Sequence, residues 1–306
     1  MIQKAASSVD VGSSIRDLSF GGAWVMEVQS DAIKGCSGMR VHDLGMLDGP
    51  VLLFGGPYSN LQATRAVLEQ ASRFAAKPVC TGDVVAYCAR PAETVAAIRA
   101  AECAVVAGNC EAQLAAEADD CGCGFEDGST CDLLSAGWYS FAQSRIDADA
   151  LAWMASLPEI ILFTHAGARY AVIHGGVSNV ARFVWSSSPM SVFQAEWAAA
   201  EAQVGPVDHV VAGHSGLPFQ RDVGAGRWIN AGVVGMPPHD GLKQTAFMVL
   251  DNGQPVLHRL DYDVDAAVSD MENARLTQGY DIALRTGYWP SEDVLPPDLR
   301  LSFANG

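Results

Sequence analysis

Four short apolar runs, each ending in a polar residue beside glycine, constrain this chain more than any other feature. They close on Thr81-Gly82-Asp83, Ala107-Gly108-Asn109, Ala171-Val172-Ile173-His174 and Val210-Val211-Ala212-Gly213-His214. Each run has the length and β-branched content of a buried strand and precedes glycine, small residues or a helical pattern. In an open α/β sheet the strand ends face one crevice, so donors delivered from four such ends can meet at one point. A carboxylate, an amide oxygen and two imidazoles suit Mn, Fe, Zn or Ni, whereas a thiolate set would select softer ions.

The periodicity around these runs alternates strand and helix. It predicts strands over 51–54, 79–83 and 103–107, with helices over 60–71 and from Pro91 through 100, the proline standing in the first turn. A glycine- and cysteine-rich loop over 119–131 breaks the rhythm. A helix over 147–156 follows, then a hairpin of strands 159–163 and 169–173 joined through Gly167. Strands over 209–212, 227–230, 245–250 and 255–260 precede helices over 266–276 and 281–285 and a proline-rich tail from Pro290. The reading is an α/β (α+β) fold in which two sheets are covered by helices on both sides. Residues 1–48 read as an N-terminal extension packed on the core, 49–263 as the main domain, and 264–306 as C-terminal helices and tail.

Composition sets the classes to exclude. With 49% hydrophobic and 18% charged residues the chain can bury a sizeable core. A net charge of −16 disfavours nucleic acid, which needs a basic surface to replace phosphate counterions. No apolar run approaches the roughly 18 residues of a membrane span, and Met1 to Ser14 lack a secretory pattern. The expectation is a cytoplasmic protein without membrane or nucleic-acid partners. In that compartment its 8 cysteines point to metal or redox chemistry more than to a disulfide frame.

The order Gly82-Asp83, Gly108-Asn109-Cys110-Glu111, His174-Gly175 and Gly213-His214 resembles the calcineurin-like metallophosphoesterase superfamily over roughly residues 51–263. Within it the small bacterial phosphodiesterase and dinucleoside-polyphosphatase-like branch is most similar, supported by Asn230-Ala-Gly-Val-Val-Gly-Met-Pro. The resemblance implies a four-layer αββα sandwich of two mixed β-sheets flanked by helices, and two metals bridged by an aspartate. It makes Asp83 the bridging carboxylate, with Asn109, His174 and His214 completing the second-metal ligands.

The first-metal position departs from that pattern. Where the family has Asp-x-His-Gly-Asn this chain reads Gly56-Pro57-Tyr58-Ser59-Asn60, and where it has Gly-His-x-His the chain reads Gly213-His214-Ser215-Gly216. Gly56, Tyr58 and Gly216 thus replace three ligands of one metal while none of the other's is lost. The resemblance then implies one divalent transition metal (Mn, Fe, Zn or Ni) per chain, with Asn60 and Asn230 on the substrate.

Cys110 stands where many members carry a histidine that assists the leaving group. It reads either as that proton donor or as a small buried filler. Cys121, Cys123 and Cys131 read as holders of a second metal, as a lid, or as thiols of a plain loop that stay free or pair locally. Trp138, Tyr139, Phe183 and Trp185 read as a substrate pocket or as core. His42, His165, His209, His239 and His258 read as surface or turn residues. The expected function is a metal-dependent phosphoesterase that hydrolyses a small phosphorylated substrate, whether phosphomonoester, phosphodiester or nucleotide, at an altered, mononuclear site. The alternatives are a non-hydrolytic metal- or nucleotide-binding protein and an iron/cysteine redox protein on the same fold.

Overall fold

A computed structural model describes residues 38–126 and 128–301; most of the N-terminal extension expected over 1–48 lies outside them. In chain order the elements are β1 (Val41–Met46), β2 (Val51–Phe54), α1 (Leu61–Arg73), β3 (Lys77–Cys80), α2 (Pro91–Ala100), β4 (Ala104–Val105), α3 (Asn109–Ala115), α4 (Thr130–Gln143), α5 (Ala148–Ser156), β5 (Ile160–His165) and β6 (Ala168–Val172). They continue as α6 (Met190–Val204), β7 (His209–Ala212), β8 (Phe219–Val223), β9 (Gly226–Asn230), β10 (Thr245–Asp251), β11 (Gln254–Leu260), α7 (Val264–Ala274), α8 (Tyr280–Thr286) and a short 3-10 turn.

The strands form a six-stranded sheet in the order β1-β5-β6-β7-β9-β8 and a five-stranded sheet in the order β11-β10-β2-β3-β4. Side chains alternate between the faces of a strand, and here both faces are apolar. Val51 and Leu53 of β2, Ile161 and Phe163 of β5, Val211 of β7 and Met248 and Leu250 of β10 fill the space between the sheets. Their neighbours Leu52, Phe54, Phe247 and Val249 face the helical side with Val67, Ile98 and Val268. On the far side Ile160, Leu162, Val210 and Trp228 pack against Phe193 of α6. Three apolar seams between four layers make the αββα sandwich. Burying each such side chain is worth about 1.5–3 kcal/mol, so the seams carry most of the driving force.

Residues 41–46, which the sequence pattern places in the extension, form an edge strand parallel to β5. Helices α4 and α6 follow no stretch that the periodicity marks, because α6 spreads Phe193, Trp197 and its alanines around its circumference without a clean stripe. Strand β4 is two residues long, and Asn109 opens α3 where a strand end was expected. No helix among the described residues is long and apolar enough to cross a membrane.

Parallel neighbours end on the same edge of a sheet. β2, β3 and β4 run parallel in one sheet, and β6, β7 and β9 run parallel in the other. A bridge between Gly55 and Val233 ties the two sheets where β2 and β9 end.

Candidate metal centre

The segments leaving β3, β4, β6 and β7 bring Asp83, Asn109, His174 and His214 to one point. His174 Nε2 lies 3.0 Å from Asn109 Oδ1, 3.0 Å from His214 Nδ1 and 3.2 Å from Asp83 Oδ2. All four side chains are buried, and Asp83, His174 and His214 are the one group of three or more ligand-type side chains that converge tightly among the described residues.

Partners behind the cluster aim His174 and Asn109 directly and hold the turn that carries His214, whose own Nε2 has no hydrogen-bond partner. His174 Nδ1 sits 2.6 Å from the Thr81 carbonyl, an acceptor only, so it must carry a hydrogen. In the neutral ring that leaves Nε2 as a lone pair facing the cluster, the arrangement that orients imidazole ligands. The Asn109 amide nitrogen donates to the Cys121 carbonyl at 2.9 Å, which turns Oδ1 inward. His214 is braced by Asn230, whose amide donates to the Gly213 carbonyl and to Ser215 Oγ on either side of it. Asp83 and His214 both have left-handed backbones, φ 57° and 60°. Such residues each cost on the order of 1 kcal/mol or more and persist where the surroundings over-determine them.

Glu111 has no place among the ligands expected from sequence, yet it is the strongest brace. Its fully buried carboxylate accepts from the backbone N–H groups of Asp83 at 2.8 Å, Val84 at 2.7 Å and Gly108 at 2.9 Å. It therefore locks the Gly-Asp turn to the Gly-Asn turn; a glutamate three residues after Gly108, at the start of a helix, was the available signal. Burial and the neighbouring Asp83 push its pKa up to about 7. Against the cost of burial, His174 and His214 hold the Asp83 carboxyl well below the usual carboxylate range.

Two oxygens and two ring nitrogens thus face one another, and the neutral rings can place at most one hydrogen among them, on His214 Nδ1. A single cation would satisfy all four at once, and the set suits a divalent transition metal. The residues present fit that group.

The positions that the resemblance assigns to a first metal offer no ligand side chain at Gly56 or Gly216, and Tyr58 and Gly216 line the cavity beside Asp83 and His214. A side chain on Gly56 would begin 2.6 Å from the Tyr58 ring and from Val233 Cγ1. Burial first, then the charge of Asp83, raises the Tyr58 phenol well above its ordinary pKa, so it stays protonated and is a poor ligand.

Other expectations need correction. Cys110 is buried in the helix-side core and set back from the lining of the adjoining cavity, and burial, then Asp83, pushes its thiol well up and keeps it protonated. Cys121 pairs with Cys123 as a disulfide while Cys131 is free in α4, so the three thiols do not form a metal site. Asn60 and Asn230 spend their amides on backbone and side-chain neighbours: Asn60 caps α1 through the Ala63 N–H and donates to the Gly235 carbonyl. His165 and His239 are buried, bonded to the Leu47 carbonyl and to Glu292. Trp138 and Tyr139 are core. Phe183 and Trp185 do line a cavity that opens on Asp83 and His214, together with Phe125, Tyr280 and Trp289. Nothing in the sequence pointed to the last three, which arrive from distant segments.

Two sheets back to back, helices outside and a donor cluster at the strand ends define an α/β sandwich with a candidate metal site at its strand ends. The sequence profile of the calcineurin-like phosphoesterase superfamily domain matches residues 53–253, and the chain belongs to that family. Among solved structures, the metallophosphoesterase from Sphaerobacter thermophilus is similar at 20% identity and a TM-score of 0.61, covering 79% of this chain and 100% of its own. A protein from Pyrococcus horikoshii OT3 is similar at 15% identity and a TM-score of 0.64, covering 79% of this chain and 98% of its own. At these identities the two structures speak for the fold. No curated protein matches the chain.

Proposed function

We propose that this protein is a phosphoesterase working from a single metal position held by Asp83, Asn109, His174 and His214. The observation that carries the reading is the convergence of acceptor atoms from the other three residues on His174 Nε2, at 3.0 to 3.2 Å from that atom. A divalent transition metal bound there supplies a Lewis acid for a phosphoryl oxygen and lowers the pKa of a bound water. The chain's own part is orientation: Thr81 fixes the His174 ring, Cys121 the Asn109 amide, Asn230 the His214 turn, and Glu111 the backbone of Asp83. The substrate is a small phosphorylated molecule admitted through the cavity beside Asp83 and His214.

The missing ligands at Gly56 and Gly216 favour a second reading, a protein that binds such a ligand without turning it over. Hydrolysis of model phosphomonoesters and phosphodiesters by metal-loaded protein separates the two. Turnover that falls about 100-fold or more in Asp83→Asn supports the hydrolase, since loss of a metal-orienting or ligating group typically costs at least 10–100-fold. Saturable phosphonate binding with no turnover supports the binding protein. Failure to take up metal overturns both.

A further inference from the structure

We infer that the cavity opening on Asp83 and His214 is a subsite for a planar aromatic group, and that the ligand is an aryl ester carrying a single phosphoryl group. The inference rests on the single-metal reading and adds the substrate class.

Geometry supplies the first argument. The rings of Phe183 and Trp185 are parallel to within 1° with centroids 5.4 Å apart, and Phe125 lies nearly parallel to Phe183 at 23° and 6.3 Å. Phe183 also packs on the His214 ring at 4.3 Å, so the aromatic wall begins at the candidate metal ligand. Tyr280 and Trp289 also line the cavity. The Trp289 backbone N–H donates to His239 Nδ1 at 2.7 Å and its indole N–H to the Pro237 carbonyl at 2.7 Å. A flat ring laid against this aromatic wall gains apolar burial and stacking without ordering a flexible side chain.

Charge supplies the second. Among the described residues no lysine or arginine lines this cavity, and the adjoining space shared by Phe125, Phe183 and Cys131 adds Glu126 and Asp293. Phosphate sites that hold several phosphoryl groups use arginine, lysine or additional cations to balance them. Here one metal would answer one phosphoryl group, and a polyphosphate chain would extend its remaining charges toward carboxylates. The lining therefore selects against polyphosphates as it selects for an uncharged ring.

The test is calorimetric binding to Mn²⁺-reconstituted full-length protein of phenylphosphonate, methylphosphonate and inorganic triphosphate, with metal content measured on the same samples. The expected result is phenylphosphonate at least tenfold tighter than methylphosphonate, with triphosphate no tighter than methylphosphonate. Trp185→Ala should reduce the phenyl-to-methyl ratio at least fivefold, and Phe125→Leu gives the same readout should the first variant fail to fold. Equal affinities for the two phosphonates on metal-loaded protein, or triphosphate as the tightest ligand, overturn the aryl subsite while leaving the metal reading in place. Protein that takes up no Mn²⁺ and binds neither phosphonate overturns the single-metal reading and this inference with it.

Discussion

A side chain on Gly216 would begin 3.2 Å from the indole ring of Trp289, which fills the room beside the last of the four convergent residues. The tail that brings Trp289 there is pinned through His239 and Glu292. The crowding differs between the two glycines: a Cβ on Gly56 would meet the Tyr58 ring and Val233 at 2.6 Å, and one on Gly216 the Trp289 indole at 3.2 Å.

Restoring one lost ligand should accordingly fail to restore a second metal. Gly216→His places a Cβ against the indole on a backbone at φ +77°, a left-handed conformation that costs a non-glycine residue about 1–3 kcal/mol. The expected outcome is an unchanged metal content and a melting temperature lower by several degrees. A variant that gains a second metal with ordinary stability would sink the single-metal account.

Glu111→Gln should act on the site without touching metal. Its carboxylate accepts three backbone N–H bonds, and an amide can turn only one oxygen to them, facing its own N–H₂ toward donors. The expected loss is about 1–3 kcal/mol of stability together with roughly 10–100-fold weaker metal binding, measured by denaturation and by competition with a chelating dye. Undiminished metal affinity would show that the turns hold themselves.

The cysteines should divide into two kinds. Cys121 and Cys123 back the Asn109 amide through a carbonyl at 2.9 Å and a sulfur at 3.4 Å, whereas Cys131 is a free thiol of α4 that lines the same cavity as Cys123. Cys121→Ser with Cys123→Ser should weaken metal binding several-fold, and Cys131→Ser should leave it unchanged. The reverse pattern in metal titrations would restore the idea of a thiolate site at Cys131.

The tail clamp should loosen in acid. A hydrogen bond from His239, followed by one from the Leu301 N–H, holds the Glu292 carboxyl below its ordinary range. A depressed carboxylate contributes its full stabilisation above the unfolded value, about 4.3, and loses it as pH falls through the lowered folded value. Amide protection over residues 288–301, taken relative to the intrinsic exchange rate at each pH, should therefore fall below about pH 4 in the wild type, while Glu292→Gln is poorly protected at every pH. Protection that is indifferent to both would contradict the clamp.

Much of this was legible because strands announce themselves by short apolar runs. The boundaries of β7, α2 and the β5–β6 hairpin fall within a residue or two of the expected ones. The convergence of Asp83, Asn109, His174 and His214 follows from strand ends meeting in one crevice. What stayed hidden depends on contacts remote in sequence. Trp289 and Tyr280 reach the cavity only because the C-terminal segment folds back, and Glu111 works through hydrogen bonds to backbone that no side-chain pattern displays. The readings of Asn60 and Asn230 as substrate contacts failed for a related reason: the spacing was right, but each amide is consumed in holding a turn.

The central claim is one metal position built by four convergent side chains beside a position that lacks its ligands at Gly56 and Gly216. Elemental analysis of protein purified without added metal, then reconstituted and desalted, tests it most directly. The account predicts one divalent transition metal per chain in the wild type, none in His174→Ala, and one retained in His165→Ala, whose ring is bonded to the Leu47 carbonyl away from the cluster. Two metals per wild-type chain, or a metal kept by His174→Ala, would contradict it.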